Sequence, residues 1–235
     1  MFEEFEMLFF VLLLGAIALS LWASLRVNMV YRRYERQLSR SGMTGRDAAR
    51  RMLDASGLSH VQVDMTPGRL TDHYDPRANV IRLSEATYNG RSTAAIGVAA
   101  HEAGHALQYA EGYAPIKVRT AIVRATQISS RAAIPLILAG ILLSYLSNFF
   151  IALAYVGIVA FSLCVLFQLV TLPVEFNASS RALAELGRCD ILGQDELQGS
   201  AKVLRAAALT YVAAMAVALL QLLRLIAMVS GSRRR

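Results

Sequence analysis

Hydrophobic residues occur in this chain as long runs that contain no charged side chain. Residues 7–25 form the first such run, and residues 132–174 form the second. About 20 apolar residues in a helix cross the hydrocarbon core of a bilayer. The first run is therefore predicted to form one transmembrane helix, and the second to form two helices joined near Ser147 and Asn148.

A third apolar run, residues 206–223, is interrupted at Arg224 and continues to Val229. Its length predicts a fourth span, and the arginine also fits a helix that packs partly in the membrane interface. The pattern as a whole predicts a mostly α-helical polytopic membrane protein with about four transmembrane helices.

Charges that flank the first run predict its orientation. Acidic residues precede the run, where a signal peptide carries basic ones, so the run is expected to remain as an anchor. Arginines follow the run, and the positive-inside rule places them in the cytoplasm. The acidic residues are Glu3, Glu4 and Glu6, and the arginines are Arg26, Arg32, Arg33, Arg36 and Arg40. A complete fourth crossing would put the terminal arginines 233–235 outside, in conflict with the same rule.

The polar segment between the first two runs has the pattern of a small α+β unit. Residues 61–65, 69–74 and 79–83 can extend, and turns at Pro67-Gly68 and at Asp75-Pro76 separate them. This arrangement predicts short strands that include a β-hairpin.

Helices are predicted on both sides of these strands. Thr44 followed by Asp47 is a capping box that begins a helix, and Gly57 can end it. An alanine-rich helix is expected from Ser92 or Thr93 to about Ala110, and a basic helix from about Pro115 to Ser130.

Composition agrees with the membrane class and argues against two other classes, the nucleic-acid binders and the disulfide-stabilised proteins. Of the 235 residues, 55% are hydrophobic and 17% are charged. The net charge of +7 does not indicate a nucleic-acid binder, because the basic residues flank apolar runs and do not alternate with aromatic residues. The two cysteines, Cys164 and Cys189, form neither a disulfide framework nor a CxxC motif. Histidines and carboxylates are left as the candidate metal ligands.

A candidate metal site lies in the alanine-rich helix. Residues 101–105 read His-Glu-Ala-Gly-His and match the H-E-x-x-H pattern. On a helix, this spacing places His101 and His105 on one face, where both imidazoles can bind one zinc ion. Glu102 lies beside that face and can act as the general base that takes a proton from a metal-bound water.

A catalytic zinc requires a third protein ligand, for which His60, His73 and a later carboxylate are the candidates. Glu175 is preferred, since it begins a polar helical stretch directly after the second apolar run. Two crossings between His105 and Glu175 would return the chain to the same side of the membrane and close to its surface. The alternative is a glutamate that only ends the span.

Asp72, His73 and Tyr74 form a polar cluster before the metal helix. The side chain of His73 or Tyr74 can stabilise the oxyanion of a tetrahedral intermediate. Alternatively, the cluster supports the turn at Asp75-Pro76.

Three segments of the chain resemble the bacterial YugP-type zinc metallopeptidases: residues 101–105, residues 70–76 (Leu-Thr-Asp-His-Tyr-Asp-Pro) and residues 172–179 (Leu-Pro-Val-Glu-Phe-Asn-Ala-Ser). The resemblance covers essentially the whole chain and extends more distantly to the HtpX-type membrane gluzincins. It implies that His101, His105 and Glu175 hold zinc and that Glu102 is the base. The HtpX-type pattern has an aspartate where this chain has Ser179, so Ser179 or Asn177 is expected to orient a ligand instead.

Together these patterns predict a helical membrane protein with a small zincin-like α+β catalytic unit. The expected parts are an anchor (1–25), the catalytic unit (26–131), a transmembrane hairpin (132–174), a helix and polar segment with the third ligand (175–205), and a last span with a basic tail (206–235). Its location is expected to be the bacterial plasma membrane, with the active site in the cytoplasm.

The expected function is zinc-dependent endopeptidase activity on membrane or membrane-proximal proteins. The alternative is a non-catalytic membrane scaffold with a structural metal site, although such a site has no use for Glu102. The expected partners are a protein or peptide substrate, the lipid bilayer, and a membrane protein or a second copy of the chain. Nucleic acid is not among them.

Overall fold

The structure is a computed structural model that describes the backbone of residues 2–232 and the side chains of residues 7–231. The side chains of Glu3, Glu4 and Glu6 and the terminal arginines 233–235, on which the predicted orientation partly depends, lie outside the described residues. The chain divides into two compact units. The four-helix unit contains the residues up to Trp22, Val118–Leu172 and those from Thr210 on, and the sheet unit contains Ala23–Lys117 and Pro173–Leu209.

Helices make up most of the described chain, as the apolar runs predict. The helices are α1 (Phe2–Glu35), α2 (Gly45–Ala55), α3 (Glu85–Tyr88), α4 (Thr93–Ala110), α5 (Ala114–Leu143), α6 (Ile151–Arg188) and α7 (Gln194–Ser232). The strands are β1 (Gln62–Thr66), β2 (His73–Asp75) and β3 (Val80–Ser84).

Four helices, α1, α5, α6 and α7, are long and apolar enough to cross a membrane. Only 11% of the most apolar stretch of α1 is buried within the chain. Large apolar side chains such as Leu8, Phe10 and Leu14 are therefore exposed, as contact with lipid tails requires. The predicted fold class, a mostly helical polytopic membrane protein with a small sheet, is confirmed.

The second span extends further than the sequence pattern predicts. A short turn and the 3-10 helix Asn148–Phe150 join α5 to α6, at the predicted position. However, the basic stretch and the first half of the apolar hairpin form the single helix α5, which continues through Arg131 and contains Pro135. Residues 129–132 (Ser-Ser-Arg-Ala) include neither glycine nor proline, so no local signal ends the helix there.

Small residues let α5 and α6 pack closely in the four-helix unit. A Cβ atom added to Gly140 would collide with the backbone of Ala154, and one added to Gly157 would lie 2.8 Å from the carbonyl oxygen of Ala133. Such close backbone approach is common where membrane helices pack.

The sheet unit contains a three-stranded sheet with the order β1-β3-β2. Strands β2 and β3 pair antiparallel, with Tyr74 opposite Ile81, so the predicted hairpin is confirmed. Strand β1 pairs with β3 in parallel, with Val63 opposite Ile81. β2 is therefore an edge strand, and β3 lies in the middle of the sheet.

Helix α4 lies in the core of the sheet unit. Its small side chains, including Ala99, Ala100 and Ala103, are fully buried with Ile81 and Leu83 of β3. Burying a side chain such as Ile81 or Leu83 contributes about 1.5–3 kcal/mol to stability.

Local caps fix where the helices of the sheet unit begin. The predicted capping box forms: Thr44 and Asp47 cap α2 reciprocally. Ser92 caps α4 by accepting a hydrogen bond from the backbone N–H of Ala95 at 3.2 Å. The hydroxyl of Ser200 in α7 donates to the carbonyl oxygen of Thr93 at 2.7 Å and holds the first turn of α4 in place.

Candidate metal centre

Helix α4 presents the two histidines of the H-E-x-x-H motif on one face. The ring centroids of His101 and His105 lie 4.7 Å apart, with the ring planes at 82° to each other. This edge-to-face arrangement follows from the four-residue spacing, since positions i and i+4 lie one turn apart on the same side of a helix.

Helix α6 brings Glu175 to the same place. Its Oε2 atom lies 3.2 Å from Nε2 of His101 and 3.8 Å from Nε2 of His105. The potential ligand atoms of the three residues all lie within 4.8 Å of one another. In the described part of the chain, this group contains neither His60 nor His73, the other candidates for the third ligand.

The donor set and its spacing fit a zinc ion. Imidazole nitrogens and a carboxylate oxygen are common zinc ligands, and atoms about 2.0–2.1 Å from a tetrahedral metal lie roughly 3.3 Å from each other. The distances from Glu175 to the two histidines, 3.2 and 3.8 Å, bracket that value. The side chains are 15%, 10% and 4% exposed for His101, His105 and Glu175, so an ion held here would be largely shielded from solvent.

The glycine of the motif explains how α6 approaches so closely. A Cβ atom added to Gly104 would lie 2.5 Å from the carbonyl oxygen of Ala178, one turn after Glu175 on α6. Any larger residue at position 104 would therefore push the α6 backbone away from α4. The absence of a side chain here sets the distance between the histidine pair and Glu175.

Polar groups behind the histidines hold both rings. Nδ1 of His105 lies 2.9 Å from Oε1 of Gln108, which is itself fully buried. Nδ1 of His101 lies 3.1 Å from the hydroxyl of Ser179. In both rings Nε2 is the nitrogen that faces Glu175. This is expected when Nδ1 contacts a polar group that orients the ring and Nε2 is left to bind the metal.

Negative charge dominates the electrostatics of the site. Burial of His105 lowers its pKa, but hydrogen bonding to Glu175 and the negative charges of Glu102 and Glu175 outweigh burial, and the net pKa is raised. The same carboxylates that favour a proton on His105 also favour a divalent cation. Glu102 is itself buried, with 8% of its surface exposed, and follows His101 directly on α4.

The residues expected to stabilise the oxyanion lie on the edge strand β2. The side chain of His73 is exposed, and its Nδ1 atom lies 2.7 Å from the carbonyl oxygen of Thr71. The hydroxyl of Tyr74 donates to Oδ1 of Asn79 at 3.3 Å, and the Tyr74 ring contacts the ring of Tyr109 edge to face. Asp72 of the same cluster accepts hydrogen bonds from Ser84 and stabilises the loop before β2.

Two polar residues of the site were not anticipated from the sequence. Gln108 is the partner of His105, and Arg181 donates to Asn177 at 2.7 Å. Gln108 lies three residues after His105 on the same helix, a spacing at which side chains are neighbours. That spacing was the only sign in the sequence that Gln108 contacts His105. It is not specific, because many exposed glutamines lie at the same spacing from another residue.

Comparison with known proteins agrees with this geometry. The profile of the family described as "Putative neutral zinc metallopeptidase" matches residues 9–230. A protein of Bacillus subtilis (strain 168) named "Putative membrane protease YugP" is 47% identical over 220 residues, which is 94% of this chain and 96% of the relative. No solved structure gives a significant match. By its sequence, the chain therefore belongs to this family of zinc metallopeptidases.

Proposed function

We propose that this protein is a zinc-dependent membrane endopeptidase in which His101, His105 and Glu175 hold the metal and Glu102 is the general base. The observation that carries the proposal is the convergence of these three ligand candidates from α4 and α6 within 4.8 Å. Membership of a zinc metallopeptidase family and the membrane protease relative support the same activity at a coarser level.

Each residue has a distinct role in this mechanism. The two Nε2 atoms and the carboxylate of Glu175 would hold a zinc ion, which when bound activates water and polarises the scissile carbonyl. Glu102 accepts the proton of the attacking water and later delivers it to the leaving amine. Because Glu102 is buried beside the ligands, bulk water does not screen its charge strongly.

The edge strand β2 is the proposed docking site for substrate. Only β3 pairs with β2 in the sheet, so an extended peptide can add to its other side through backbone hydrogen bonds. Helix α4 packs against the same strand, which supports placing the scissile bond near Glu102.

His73 or Tyr74 on this strand would then stabilise the oxyanion. Burial, together with nearby Tyr109 and Asp75, raises the pKa of the Tyr74 hydroxyl, which therefore remains a hydrogen-bond donor at neutral pH. If His73 is the donor, His73→Ala lowers kcat by about 10²–10³-fold. Unchanged cleavage by that variant would remove His73 from the mechanism.

The location of the site is proposed from charge and chain order. Glu175 is the first charged residue after Arg131, which supports substrates in or near the bilayer. The arginines that follow the first span support a cytoplasmic active site.

The rival function, a scaffold with a structural metal, requires a closed site with four protein ligands. Among the described histidine, cysteine, aspartate and glutamate side chains, the group contains three members. Three protein ligands would leave a zinc ion one position for water, which supports the catalytic interpretation.

Glu102→Gln tests the proposal directly. The variant keeps the shape of the side chain but cannot accept the proton, so kcat should fall by about 10²–10⁴-fold while bound zinc is unchanged. Cleavage of an unfolded membrane protein in detergent and the zinc content of the purified chain are measured together. Glu85→Gln, on the exposed side of α3, is the matched control and should cleave like the wild type. Full activity of Glu102→Gln would contradict the assigned role of Glu102.

A further inference from the structure

Gln108 is a fully buried polar side chain that connects α4 with α6. Its Nε2 group donates to the carbonyl oxygen of Val174 at 2.8 Å and to Oδ1 of Asn177 at 2.9 Å. Its Oε1 atom lies 2.9 Å from Nδ1 of His105. Both amide hydrogens and the amide oxygen therefore have partners, which satisfies a group that would be costly to bury unpaired.

Two independent neighbours fix which end of the Gln108 amide faces which partner. The carbonyl oxygen of Val174 can only accept a hydrogen bond, so the group that faces it must be the NH2 end. On the other side, Nε of Arg181 can only donate, so the Asn177 atom that it contacts at 2.7 Å must be the amide oxygen. That oxygen in turn requires a donor from Gln108.

The orientation of Gln108 determines the tautomer of His105. With its NH2 end committed to α6, Gln108 presents only its oxygen to the imidazole, and an amide oxygen cannot donate. Nδ1 of His105 must therefore carry the hydrogen. The lone pair of neutral His105 then lies on Nε2, the nitrogen that faces Glu175.

We propose that Gln108 is a positioning residue that fixes His105 in its metal-binding tautomer, and that Asn177 and Arg181 fix Gln108. This inference rests on the proposed metal site. Of these three residues, only Asn177 was expected from the sequence to orient a metal ligand. In this proposal Asn177 does not contact a ligand but acts through Gln108.

The other histidine lacks this arrangement. Nδ1 of His101 lies 3.1 Å from Ser179, whose hydroxyl can either donate or accept. Ser179 therefore holds the His101 ring without selecting its tautomer. The tautomer of His105 is therefore fixed before the metal binds, whereas that of His101 is not.

The chain of contacts continues from the buried site to the surface. Arg181 pairs with Glu111 at the end of α4 at 2.5 Å, and its guanidinium lies 5.9 Å from the ring centroid of Tyr113. The Arg181 side chain is 22% exposed and that of Glu111 is 56% exposed. These outer contacts hold the guanidinium in place so that its Nε points at Asn177.

Gln108→Met tests the proposal, since it keeps the length of the side chain and removes both donor and acceptor. Loss of such an orienting partner typically costs 10–100-fold in metal affinity, so zinc affinity should fall by about 10–100-fold. Ser179→Ala should cost less, because Ser179 does not select a tautomer. Zinc affinity is measured on the full chain in detergent by competition with a chelator. Gln127→Met, on an exposed position of α5, should match the wild type.

Asn177 provides a second pair of variants. Asn177→Asp keeps an oxygen that accepts from Gln108 and Arg181, whereas Asn177→Leu does not. The leucine variant should bind zinc at least about threefold more weakly than the aspartate variant.

A spectroscopic readout separates this proposal from the proposed function. The chain contains four histidines, so nitrogen NMR of the labelled, zinc-loaded wild type can resolve the two nitrogens of His105. Protonated Nδ1 and metal-bound Nε2 are expected. Metal on Nδ1 of His105, or wild-type zinc affinity in Gln108→Met, would overturn the proposal, even if the protein cleaves peptides. Failure of the wild type to bind zinc would instead overturn the proposed function.

Discussion

In each of the two compact units, a glycine allows two helices to approach closely, but the residues near the two contacts differ in kind. In the four-helix unit, Gly140 on α5 meets the backbone of Ala154 on α6, and an apolar cluster with Leu225 and Val229 surrounds the contact. In the sheet unit, Gly104 on α4 meets Ala178 on α6.

Only the second contact lies at the proposed metal site. Close approach of α4 and α6 brings the two histidines to Glu175, whereas close approach of α5 and α6 buries apolar side chains. A glycine therefore allows close helix packing in both units, and in the sheet unit it also sets the distance between the side chains of the proposed metal site. Substitutions that alter packing should therefore change zinc affinity in the sheet unit but not in the four-helix unit.

The largest expected effect comes from removing a ligand in the sheet unit. His105→Ala should lose more than about 100-fold in zinc affinity, because loss of an orienting partner alone costs 10–100-fold, and cleavage should be lost with the metal. Bound zinc and peptide cleavage are measured on the purified chain. His60→Ala is the control, since His60 is not part of the metal group, and its zinc affinity should stay within about twofold of the wild type. Equal losses in both variants would contradict the ligand assignment.

A matched glycine pair tests the comparison itself. Gly104→Ala places a Cβ atom 2.5 Å from a backbone oxygen, so α6 must move, and a displacement near 1 Å can cost about 100-fold in activity. Gly140→Ala creates a slightly closer contact in the other unit, 2.3 Å from the backbone nitrogen of Ala154. Both variants should lose about 1–3 kcal/mol of stability from overpacking.

Only Gly104→Ala should also weaken zinc binding. Thermal unfolding and chelator competition distinguish the two effects. Equal zinc affinity in the two glycine variants would show that the close approach at Gly104 does not set the geometry of the metal site.

The smallest expected effect is a change with pH. The raised pKa of His105 means that the metal-free site holds a proton more tightly than a free histidine does. Zinc requires the neutral imidazole, so its apparent affinity should fall as pH decreases through this pKa, by up to about tenfold per pH unit for each proton displaced.

Stability of the metal-free protein should change in the opposite direction. A raised pKa stabilises the fold at low pH, and this contribution is lost as pH rises through the pKa of folded His105. Zinc titrations and thermal unfolding on either side of neutrality measure the two trends. Zinc affinity that rises toward acid pH would contradict the account.

The features predicted from sequence are those with a local cause. The capping box at Thr44, the cap at Ser92 and the histidine spacing depend on residues a few positions apart. The apolar runs predict the four long helices in the same way. Glu175, which the structure brings close to both histidines, was also a candidate ligand from the sequence, because it directly follows an apolar run whose length fits two spans.

The features that were missed depend on distant parts of the chain. Parallel pairing of β1 with β3 joins strands that are not consecutive, and no pattern within either strand specifies it. The role of Gln108 depends on α6, which lies 66 residues away along the chain. Gly104 is a similar case, because the need for a glycine at this position becomes evident only from its contact with Ala178 on α6.

Zinc K-edge X-ray absorption of the purified wild-type protein would test the central claim most directly. We expect about one zinc per chain, with two imidazole nitrogens, one carboxylate oxygen and one further light atom from solvent as its ligands. His105→Ala should remove this signal. A sulfur ligand, a fourth protein ligand or the absence of bound zinc would contradict the assignment of His101, His105 and Glu175 as a catalytic metal site.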